Sequence, residues 1–467
     1  MERGIKISQF PLLLLDVTLV NLSFVLAFLF RYNFTPAIKN VEPYLSLIPW
    51  ISILTGFIFL MFDLYSNWRR KSIQDLIFSI FLSIFALSLI TMAFTYLNRG
   101  FAFPRSVIFI GAGLQVVFIT LSRSIVWYLS KRSFGSQRVL VIAQDSKEGS
   151  MLAEKLIQQK GWFTVHEFIS ADKVSEVESK LKYIDVVLVS PNIPQKAKII
   201  NLCVKCGKEI LIVPNLSELF LLRSEPQQID DLLVLSIRPH ELNPRQLLFK
   251  RALDITAAIV LLTIFSPIMI ILFIAIPLMT KGPALFKQER LGKDKESYLV
   301  LKFRSMIPNA EKVSGPVLAT DKDPRITKIG RFIRATRLDE LPQLINVLNG
   351  SMSLVGPRPE RLFFVRQFEE TIPHYSYRMS IKPGVTGLAQ VMGRYSTTVE
   401  DKLRLDMMYM HSYSFVLDLK ILFRTIKVVL KREQASGVRN DGKAKGDLLE
   451  LFALEDVNHP RRNISRS

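Results

Sequence analysis

Cysteine is scarce in this sequence: Cys203 and Cys206 are the only two in 467 residues, and they are spaced C-x-x-C. Two thiols cannot form the disulfide framework on which small secreted domains depend. No second pair of Cys or His residues stands where it would complete a zinc site with them. The two residues lie at the end of a predicted helix, which favours a structural role over a redox or metal-binding one.

A nucleic-acid-binding signature is also missing, although the chain carries 61 Lys and Arg against 41 Asp and Glu. The net charge of +20 suits a partner rich in phosphate, such as a nucleic acid, an anionic lipid or a nucleotide. The basic residues are dispersed through phosphate-type motifs and through loops that flank apolar segments. This distribution predicts lipid and nucleotide substrates as partners and predicts that the protein binds no nucleic acid.

Hydrophobic residues make up 49% of the chain and concentrate before residue 130 and between residues 255 and 279. No small-residue cleavage site follows the first apolar segment, so we interpret that segment as a signal anchor and not as a cleaved signal peptide. Four membrane spans of about 20 residues each are predicted. They cover residues 10–30, 44–62, 76–96 and 107–129.

The charged loops orient these spans, because the side richer in Lys and Arg faces the cytoplasm. The richer side carries Arg3, Lys6, Arg69, Arg70, Lys71, Lys131, Arg132 and Arg138, and the other side carries Arg31, Lys39, Arg99 and Arg105. With four spans, the amino end and everything after residue 129 are expected in the cytoplasm, where nucleotide sugars are. The predicted location is the cytoplasmic membrane, crossed several times.

Two charged residues fall inside predicted spans, Asp16 in the first and Arg123 in the fourth. Each is about two helical turns from the cytoplasmic end of its span, so a rise of ~1.5 Å per residue places them at similar depth. A charge inside a membrane suggests function by default, but a pair at shallow depth is more often a device of helix packing. We expect Asp16 and Arg123 to pair.

Strand-like and helix-like segments alternate from residue 138 to residue 214, which predicts a doubly wound parallel sheet. Where a dinucleotide-binding fold has its glycines, after the first strand, the chain has Ala143-Gln144-Asp145-Ser146. The close backbone approach to pyrophosphate is therefore missing. We interpret this segment as a degenerate, Rossmann-like α/β domain used for assembly or regulation, and not as an active cofactor site.

Two adjacent carboxylates, Asp339 and Glu340, stand between Arg334 and Arg337 on one side and Arg358 on the other. A carboxylate can attack phosphorus or hold Mg²⁺ while guanidinium groups neutralise the phosphate oxygens. The same residues also suit an ordinary helix start, with Asp339 as the cap and Glu340 favoured by the helix dipole. The local sequence by itself leaves both interpretations open.

The motifs around this acidic pair resemble those of a known family. Upstream stand GPALF at residues 282–286 with Gln288 and Arg290, KFRSM at 302–306 and DPRIT at 323–327, and downstream stands PGVTGLAQVMGR at 383–394. In this order and spacing they resemble the bacterial sugar transferase family, the monotopic polyprenyl-phosphate phosphoglycosyl transferases, over about residues 248 to 431. Two positions depart from the family pattern: Ser351 stands where an acid is usual, and Tyr413 where Trp is usual.

The resemblance implies transfer of a hexose 1-phosphate from a UDP-sugar to undecaprenyl phosphate, with release of UMP and through an aspartyl-phosphosugar intermediate. This step would start the assembly of an exopolysaccharide, a capsule or an O-antigen, and glucose or galactose is the favoured sugar. By matching position, Asp339 is the nucleophile and Glu340 its partner, and both are expected to hold Mg²⁺. The implied nucleotide-sugar and phosphate site comprises Lys302, Arg304, Asp323, Arg325, Arg337, Arg358 and Gln390.

The apolar run at residues 255–279 is long enough to cross a bilayer, but crossing would leave the catalytic motifs outside the cell. Ser266 and Pro267 lie near its middle, where proline removes a helical hydrogen bond and serine can satisfy the freed backbone. The resemblance implies that this Ser-Pro pair turns the helix back. A re-entrant helix over residues 251–279, with both ends cytoplasmic, is therefore expected, and a kinked span is the alternative.

The predicted architecture joins three kinds of structure. In order, it comprises a membrane α-helical four-span bundle (residues 1–132), the degenerate α/β domain (133–224), a linker (225–247), an α/β monotopic catalytic domain with the re-entrant membrane helix (248–432) and a polar tail (433–467). The expected partners are the UDP-sugar donor, the undecaprenyl phosphate acceptor and the lipid bilayer. A homo-oligomer is left open.

Two other functions fit parts of the sequence. Four spans and a nucleotide-binding module also resemble membrane NAD-dependent nucleotide-sugar dehydratases, which need a Tyr-x-x-x-Lys pair on a helix. The candidate pair, Tyr298 and Lys302, lies in a segment that alternates like a strand, which would hold the two residues about 13 Å apart at ~3.3 Å per residue. The other alternative is an inactive membrane scaffold for glycan export, and the intact acidic pair speaks against it.

Overall fold

The computed structural model of the chain describes residues 2–66, 71–97, 104–158, 162–221, 224–237, 242–308, 323–393 and 397–431. The predicted polar tail and the loop residues Arg69, Arg70 and Arg99 lie outside these ranges. By their internal contacts the described residues divide into two compact units, one up to Val213 and one from Pro214 to Lys431.

Four long helices open the first unit: α1 (Glu2–Arg31), α2 (Ile38–Met61), α3 (Ile73–Leu97) and α4 (Arg105–Phe134). Each covers nearly all of one predicted span and is long and apolar enough to cross a membrane. Large apolar side chains such as Ile53, Phe85 and Phe109 are exposed along them. Helices that are apolar on every side are typical of membrane segments, because lipid covers their outward faces.

The predicted ion pair between α1 and α4 is confirmed. Arg123 Nη2 donates to Asp16 Oδ2, and both side chains are buried inside the bundle. The Tyr65 hydroxyl, which follows α2, donates to the same carboxylate oxygen at 2.9 Å. The Tyr65 ring also lies 5.1 Å from the guanidinium carbon of Arg123. Three segments of the bundle are therefore joined at one buried polar cluster.

The remainder of the first unit is a parallel sheet with helices between its strands, as predicted. The strand order is β2-β1-β3-β4, and all neighbouring strands are parallel. In chain order the elements are β1 (Gln137–Ala143), α5 (Ser146–Ile157), β2 (Phe163–Ser170), α6 (Val177–Lys180), β3 (Val186–Val189), α7 (Lys196–Lys205) and β4 (Glu209–Ile212). Val139 and Val141 of β1 pack into one buried cluster and Leu140 and Ile142 into another, so both faces of the sheet are covered.

Acidic side chains close the amino end of α5. Asp145 Oδ1 accepts a hydrogen bond from the Glu148 N–H at 2.7 Å, and Glu148 Oε2 accepts one from the Gln144 N–H at 3.1 Å. A dinucleotide-binding fold places pyrophosphate at this helix end, where free N–H groups favour negative charge. In this chain the carboxylates of Asp145 and Glu148 lie at this helix end. This agrees with the absence of the glycines that pyrophosphate binding needs.

The two cysteines lie where a helix ends. Cys203 is buried in α7, and Cys206 follows the last residue of that helix and is exposed. Burial raises the pKa of the Cys203 thiol to about 11, so the thiol stays protonated and unreactive at physiological pH. This placement agrees with the structural role predicted for the pair.

The second unit begins earlier than the predicted domain boundary at residue 224. Helix α8 (Leu216–Leu221) buries Leu219 against Leu291, Val365 and Met407, and this packing joins it to the second unit. The antiparallel hairpin of β5 (Glu225–Ile229) and β6 (Leu232–Ser236) lies in the predicted linker. The linker is therefore partly structured.

The α/β part of the second unit is built from short elements around one long helix. In chain order these are α9 (Pro244–Met279), β7 (Leu285–Leu291), β8 (Ser297–Phe303), α10 (Lys328–Ala335), α11 (Gln343–Asn349), β9 (Ser353–Val355), α12 (Leu362–Thr371), β10 (Gly384–Thr386), α13 (Leu388–Met392), α14 (Val399–His411) and α15 (Phe415–Lys431). Strands β7 and β8 pair antiparallel, and β9 and β10 pair in parallel.

Polar side chains anchor the first turns of α9 to the α/β part. Arg251 donates to two carbonyls at the end of α11, at 2.6 and 2.7 Å, and Asp254 accepts from the Leu354 N–H of β9 at 2.9 Å. Lys250 donates to the Val355 carbonyl at 3.0 Å. Because α11 follows the acidic pair and β9 precedes Arg358, the start of α9 holds the two segments that carry the predicted chemistry.

The other end of α9 packs on the same unit. Leu272 and Ile276 are buried with Phe303 of β8 and Ile333 of α10, whereas Ile264 near the middle is exposed. Among the described residues, α9 is the fifth helix that is long and apolar enough to cross a membrane.

The buried pair of the bundle gives a first prediction. Asp16→Ala and Arg123→Ala should each lower the unfolding temperature, because breaking a buried ion pair leaves the other charge unpaired at a cost of about 3–5 kcal/mol. The double variant should lose less than the sum of the two, by on the order of 1 kcal/mol. Thermal unfolding of the four proteins of the double-mutant cycle measures this coupling.

Thr18→Ala, which removes an exposed hydroxyl from the same helix, is the control and should change little. Strictly additive losses from the two charged sites would show that the contact does not stabilise the bundle.

Candidate active site

The acidic pair lies on a tight turn between α10 and α11. Arg337 has a φ of 58°, a left-handed conformation that residues with a side chain rarely adopt, and the 3-10 helix Leu338–Glu340 follows it. The cap positions of the two helical segments that follow α10 are Arg337 and Pro342, so Asp339 caps neither. The interpretation of Asp339 as the cap of an ordinary helix is therefore not supported. Unusual backbone conformations of this kind recur at functional sites.

Three cations converge on one oxygen of Glu340. Arg358 Nη2 donates to Glu340 Oε1 at 2.9 Å, and Lys302 Nζ and Arg337 Nη1 each lie 3.9 Å from the same atom. Burial by itself would raise the pKa of Glu340, but Arg358, Lys302 and Arg337 outweigh it and lower the pKa to about 2. Glu340 is therefore ionised at physiological pH and shares its charge among three cations.

Asp339 has the opposite electrostatics. Burial raises its pKa to about 6, and the charge of Glu340 adds to the rise, while Lys302, Arg334 and Arg337 oppose it. Its buried Oδ1 has no hydrogen-bond partner among the described residues. A carboxylate that is mostly ionised at neutral pH and lacks a partner keeps its lone pairs available for attack on an electrophile.

Lys302 reaches this cluster from strand β8. Burial lowers the pKa of Lys302 to about 8, although the charge of Glu340 opposes the shift. Tyr298 lies on the same strand, so the Tyr-x-x-x-Lys spacing falls on a strand and not on a helix, as the alternation predicted. The geometry that a nucleotide-sugar dehydratase needs is therefore missing at this pair.

Asp323 and Arg325 form an ion pair within the DPRIT motif. Arg325 Nη2 lies 2.5 Å from Asp323 Oδ2, and hydrogen bonds from Arg325 lower the pKa of Asp323 to about 2. The charge of Arg334 contributes to the lowered pKa of Asp323 and opposes the rise in the pKa of Asp339, so one cation acts on both the DPRIT motif and the acidic pair.

Arg304, which the resemblance places in the phosphate site, binds backbone carbonyls in this structure. Its guanidinium donates to the carbonyls of Thr280, Lys281 and Gly282 at 2.7, 2.6 and 3.1 Å, just beyond the end of α9. These backbone acceptors follow the last helical turn, and a guanidinium can donate to several of them at once. In this structure Arg304 holds the exit of α9 and is not among the three cations on Glu340. Gln390 lies on another element again, α13.

Sequence reasoning missed two arginines that hold the loop of Arg358. Arg378 Nη2 donates to the Arg358 carbonyl at 3.0 Å, and Arg290 Nη1 donates to the Pro359 carbonyl at 3.1 Å. Neither residue belongs to the predicted site set, and only the place of Arg290 in a quoted motif pointed to it. Hydrophobic periodicity carries no signal for contacts of this kind.

The acidic pair suits Mg²⁺ as a shared ligand set. Mg²⁺ is usually bound by one or two carboxylates together with substrate phosphates and water. The unpartnered Oδ1 of Asp339 offers one such oxygen, and Glu340 stands next to it. No cluster of three or more metal-binding side chains occurs among the described residues, so the substrate would have to complete the coordination.

Comparison with known proteins identifies the family of this site. A family model described as Bacterial sugar transferase matches residues 245–432. The UDP-glucose:undecaprenyl-phosphate glucose-1-phosphate transferase of Klebsiella pneumoniae is 32% identical over 396 residues, which covers 78% of this chain and 84% of that protein. The chain belongs to the bacterial sugar transferase family. The resemblance seen in the motifs is thereby confirmed, and the similarity of this sugar transferase to that relative covers more of the chain than residues 245–432.

Other relatives of this sugar transferase differ in the sugar that they are named for. The UDP-glucose:undecaprenyl-phosphate glucose-1-phosphate transferase of Escherichia coli is 29% identical over 410 residues, 80% of this chain and 87% of that protein. The UDP-N-acetylgalactosamine-undecaprenyl-phosphate N-acetylgalactosaminephosphotransferase of Aeromonas hydrophila is 43% identical over 191 residues, 40% of this chain and 45% of that protein. Similarity therefore extends to relatives named for different sugars.

The electrostatics of the pair predict opposite effects of two isosteric substitutions on stability. Because the pKa of Asp339 is raised to about 6, ionisation of this carboxyl destabilises the folded state. The destabilisation is absent below the pKa of the unfolded state, about 4, and develops as the pH rises from about 4 to 6. Asp339→Asn should therefore stabilise the sugar transferase at neutral pH, by on the order of 1 kcal/mol. The lowered pKa of Glu340 contributes stability at neutral pH, so Glu340→Gln should destabilise it.

Thermal unfolding of the three proteins at neutral pH and at about pH 4 measures both effects, which should shrink at the lower pH. If the two substitutions shift stability in the same direction at neutral pH, the assignment of the unpaired carboxylate to Asp339 is wrong.

Proposed function

We propose that this sugar transferase moves a hexose 1-phosphate from a UDP-sugar to undecaprenyl phosphate and releases UMP. The observation that carries the proposal is one carboxylate whose buried Oδ1 lacks a hydrogen-bond partner among the described residues, next to a second carboxylate on which three cations converge. The names of the relatives support the donor and the acceptor, and glucose or galactose is the favoured sugar. The product would start an exopolysaccharide, a capsule or an O-antigen.

The proposed reaction proceeds in two displacements at one phosphorus. An oxygen of Asp339 bonds to the sugar-proximal phosphorus while the bond to the UMP oxygen breaks, and UMP leaves with the electron pair. An oxygen of undecaprenyl phosphate then attacks the same phosphorus, and Asp339 leaves as a carboxylate. Splitting the transfer keeps the negative charges of donor and acceptor from crowding one site together.

The cations around Glu340 stabilise the charge that grows on the phosphoryl oxygens. Arg358 can donate two hydrogen bonds to the oxygens of one phosphoryl group, and Lys302 and Arg337 add positive charge nearby. Glu340 keeps the three side chains together before the substrate arrives, which lowers the reorganisation needed during the reaction. When bound at Asp339 and Glu340, Mg²⁺ would neutralise the donor diphosphate.

The membrane helix α9 is proposed to enter and leave the bilayer on the cytoplasmic side. Both of its ends pack on the same α/β unit, whereas a crossing helix would have its ends on opposite sides of the bilayer. Pro267 has no N–H for the Thr263 carbonyl, and Ser266 Oγ donates to that carbonyl at 2.9 Å instead. The freed backbone is thus satisfied at the point where the helix would turn.

The covalent route predicts a burst. Mixing the enzyme with UDP-sugar alone should release UMP stoichiometrically with enzyme, and steady-state kinetics should be ping-pong. Asp339→Asn should abolish burst and turnover, and Glu340→Gln should slow turnover by on the order of 10² or more because the cations lose their shared counter-charge. Transfer of radiolabelled sugar from a panel of UDP-sugars measures the specificity.

Glu370→Gln, on the exposed side of α12, is the matched control and should leave the burst unchanged. Chelation by EDTA should suppress the burst, and unchanged turnover would refute the role of Mg²⁺. Absence of a burst together with intersecting double-reciprocal plots would favour direct displacement, in which Asp339 serves only as a base.

Labelling of introduced cysteines tests the path of α9. In a background with Cys203→Ala and Cys206→Ala, the exposed positions Leu248 and Lys281 are changed singly to Cys. A membrane-impermeant reagent applied to intact cells should label neither, and both should label after permeabilisation. Phe34→Cys, in the exposed loop after α1, should label from outside as the positive control. Labelling of position 281 from outside would exclude re-entrance.

A further inference from the structure

The loop that carries Arg358 cannot hold itself in place. Residues 356–360 form no helix or strand, and Pro357 and Pro359 have no N–H to donate. A loop of this composition depends on its carbonyls for fixed hydrogen bonds. The Arg358 side chain is itself two-fifths exposed, so its direction depends on the backbone beneath it.

Each of the four carbonyls from Pro357 to Glu360 accepts a hydrogen bond. The Pro357 carbonyl accepts from the Gly384 N–H at 2.9 Å, and the Glu360 carbonyl accepts from the Leu291 N–H at 3.1 Å. The two carbonyls between them are bound by side chains, Arg378 at 3.0 Å and Arg290 at 3.1 Å. Two guanidinium groups therefore hold the centre of the loop.

The guanidinium of Arg378 is itself held by two other side chains. Its Nη2 lies 2.7 Å from Asp406 Oδ2 of α14, and its Nη1 donates to the Tyr375 hydroxyl at 2.7 Å. Both Arg378 and Asp406 are buried. A buried charge pair is costly to desolvate and contributes little net stability. Stability alone therefore does not explain why this pair binds the carbonyl of Arg358.

Arg290 is held by a second set of contacts. Its Nε and Nη2 donate to Gln288 Oε1 at 3.1 and 2.7 Å, and its Nη1 lies 3.6 Å from Glu360 Oε2. It approaches the loop from strand β7, whereas Arg378 lies in the 3-10 helix Tyr375–Met379. The two arginines reach neighbouring carbonyls from separate elements.

We propose that Arg378, backed by Asp406, and Arg290 are positioning residues that hold the Pro357–Glu360 loop by its carbonyls and so aim Arg358 at Glu340 and the donor phosphate. The inference rests on the proposed function, because it assumes that Arg358 acts on the transferring phosphoryl group. A displacement of about 1 Å in a charge-stabilising group can cost on the order of 10² in rate. Neither arginine needs to touch the substrate.

The first test replaces the buried pair by apolar side chains of similar volume. Arg378→Met or Asp406→Leu alone leaves one buried charge unpaired and should lower both stability and turnover. The double variant should recover most of the stability, because a buried ion pair exchanged for packed apolar groups is often neutral. Its kcat should remain lower by about 10-fold to 10²-fold with the donor KM nearly unchanged, since an interaction of the transition state is lost.

The second test addresses Arg290 and does not disturb the buried pair. Arg290→Met should lower kcat in the same way, and Arg290→Lys, which keeps a cationic donor for the Pro359 carbonyl, should restore much of it. This arm decides the question if the Arg378 and Asp406 double variant does not fold.

The control is Arg404→Met on α14. Arg404 also donates to a carbonyl, that of Pro214, at 3.0 Å and pairs with Asp401 at 2.7 Å, but it does not contact the loop of Arg358. Its kcat should stay at the wild-type value. Wild-type kcat in the stable double variant or in Arg290→Met would overturn the proposal. Absence of sugar-phosphate transfer by the wild type would instead refute the proposed function.

Discussion

Neutralisation of the Glu340 carboxylate is the interaction on which the catalytic unit depends. A buried carboxylate must be paired, and Glu340 meets this need with Arg358, Lys302 and Arg337 from three separate segments. The pairing draws these segments together around one atom. Oδ1 of Asp339, the adjacent residue, has no hydrogen-bond partner among the described residues. Two neighbouring acids with the same chemistry therefore differ in pKa, which is how sites assign different roles to like groups.

The same elements hold both the long apolar helix α9 and the candidate site. The first turns of α9 bind the end of α11 and strand β9, and its last turns pack on β8 and α10. These elements flank the acidic pair, Arg358 and Lys302. A shift of α9 would therefore displace these elements and, with them, the cations on Glu340. Arg304 belongs to this support, since it ties the exit of α9 to the end of β8.

Local patterns predicted much of the fold, because they arise from contacts within one segment. Apolar runs predicted α1 to α4, and the alternation of segments predicted the parallel sheet. The pairing of Asp16 with Arg123 followed from equal depth along two helices of known rise. Tyr65 was missed there because it reaches the pair from a segment beyond α2, which no periodicity describes. The domain boundary differed because α8 packs on the second unit.

The sequence by itself determined the membrane helices, the degenerate start of α5 and the residues from which the acidic site is built. Each of these depends on composition or on a motif of fixed spacing. Only the tertiary structure decided which cations contact Glu340 and that Arg304 is not one of them. It also decided how the loop of Arg358 is held. Lys302 and Arg358 stand 56 positions apart, and a guanidinium can serve a helix end, a loop carbonyl or a carboxylate equally well. Which of these groups a guanidinium contacts depends on the path of the backbone in space, and no short stretch of sequence specifies that path.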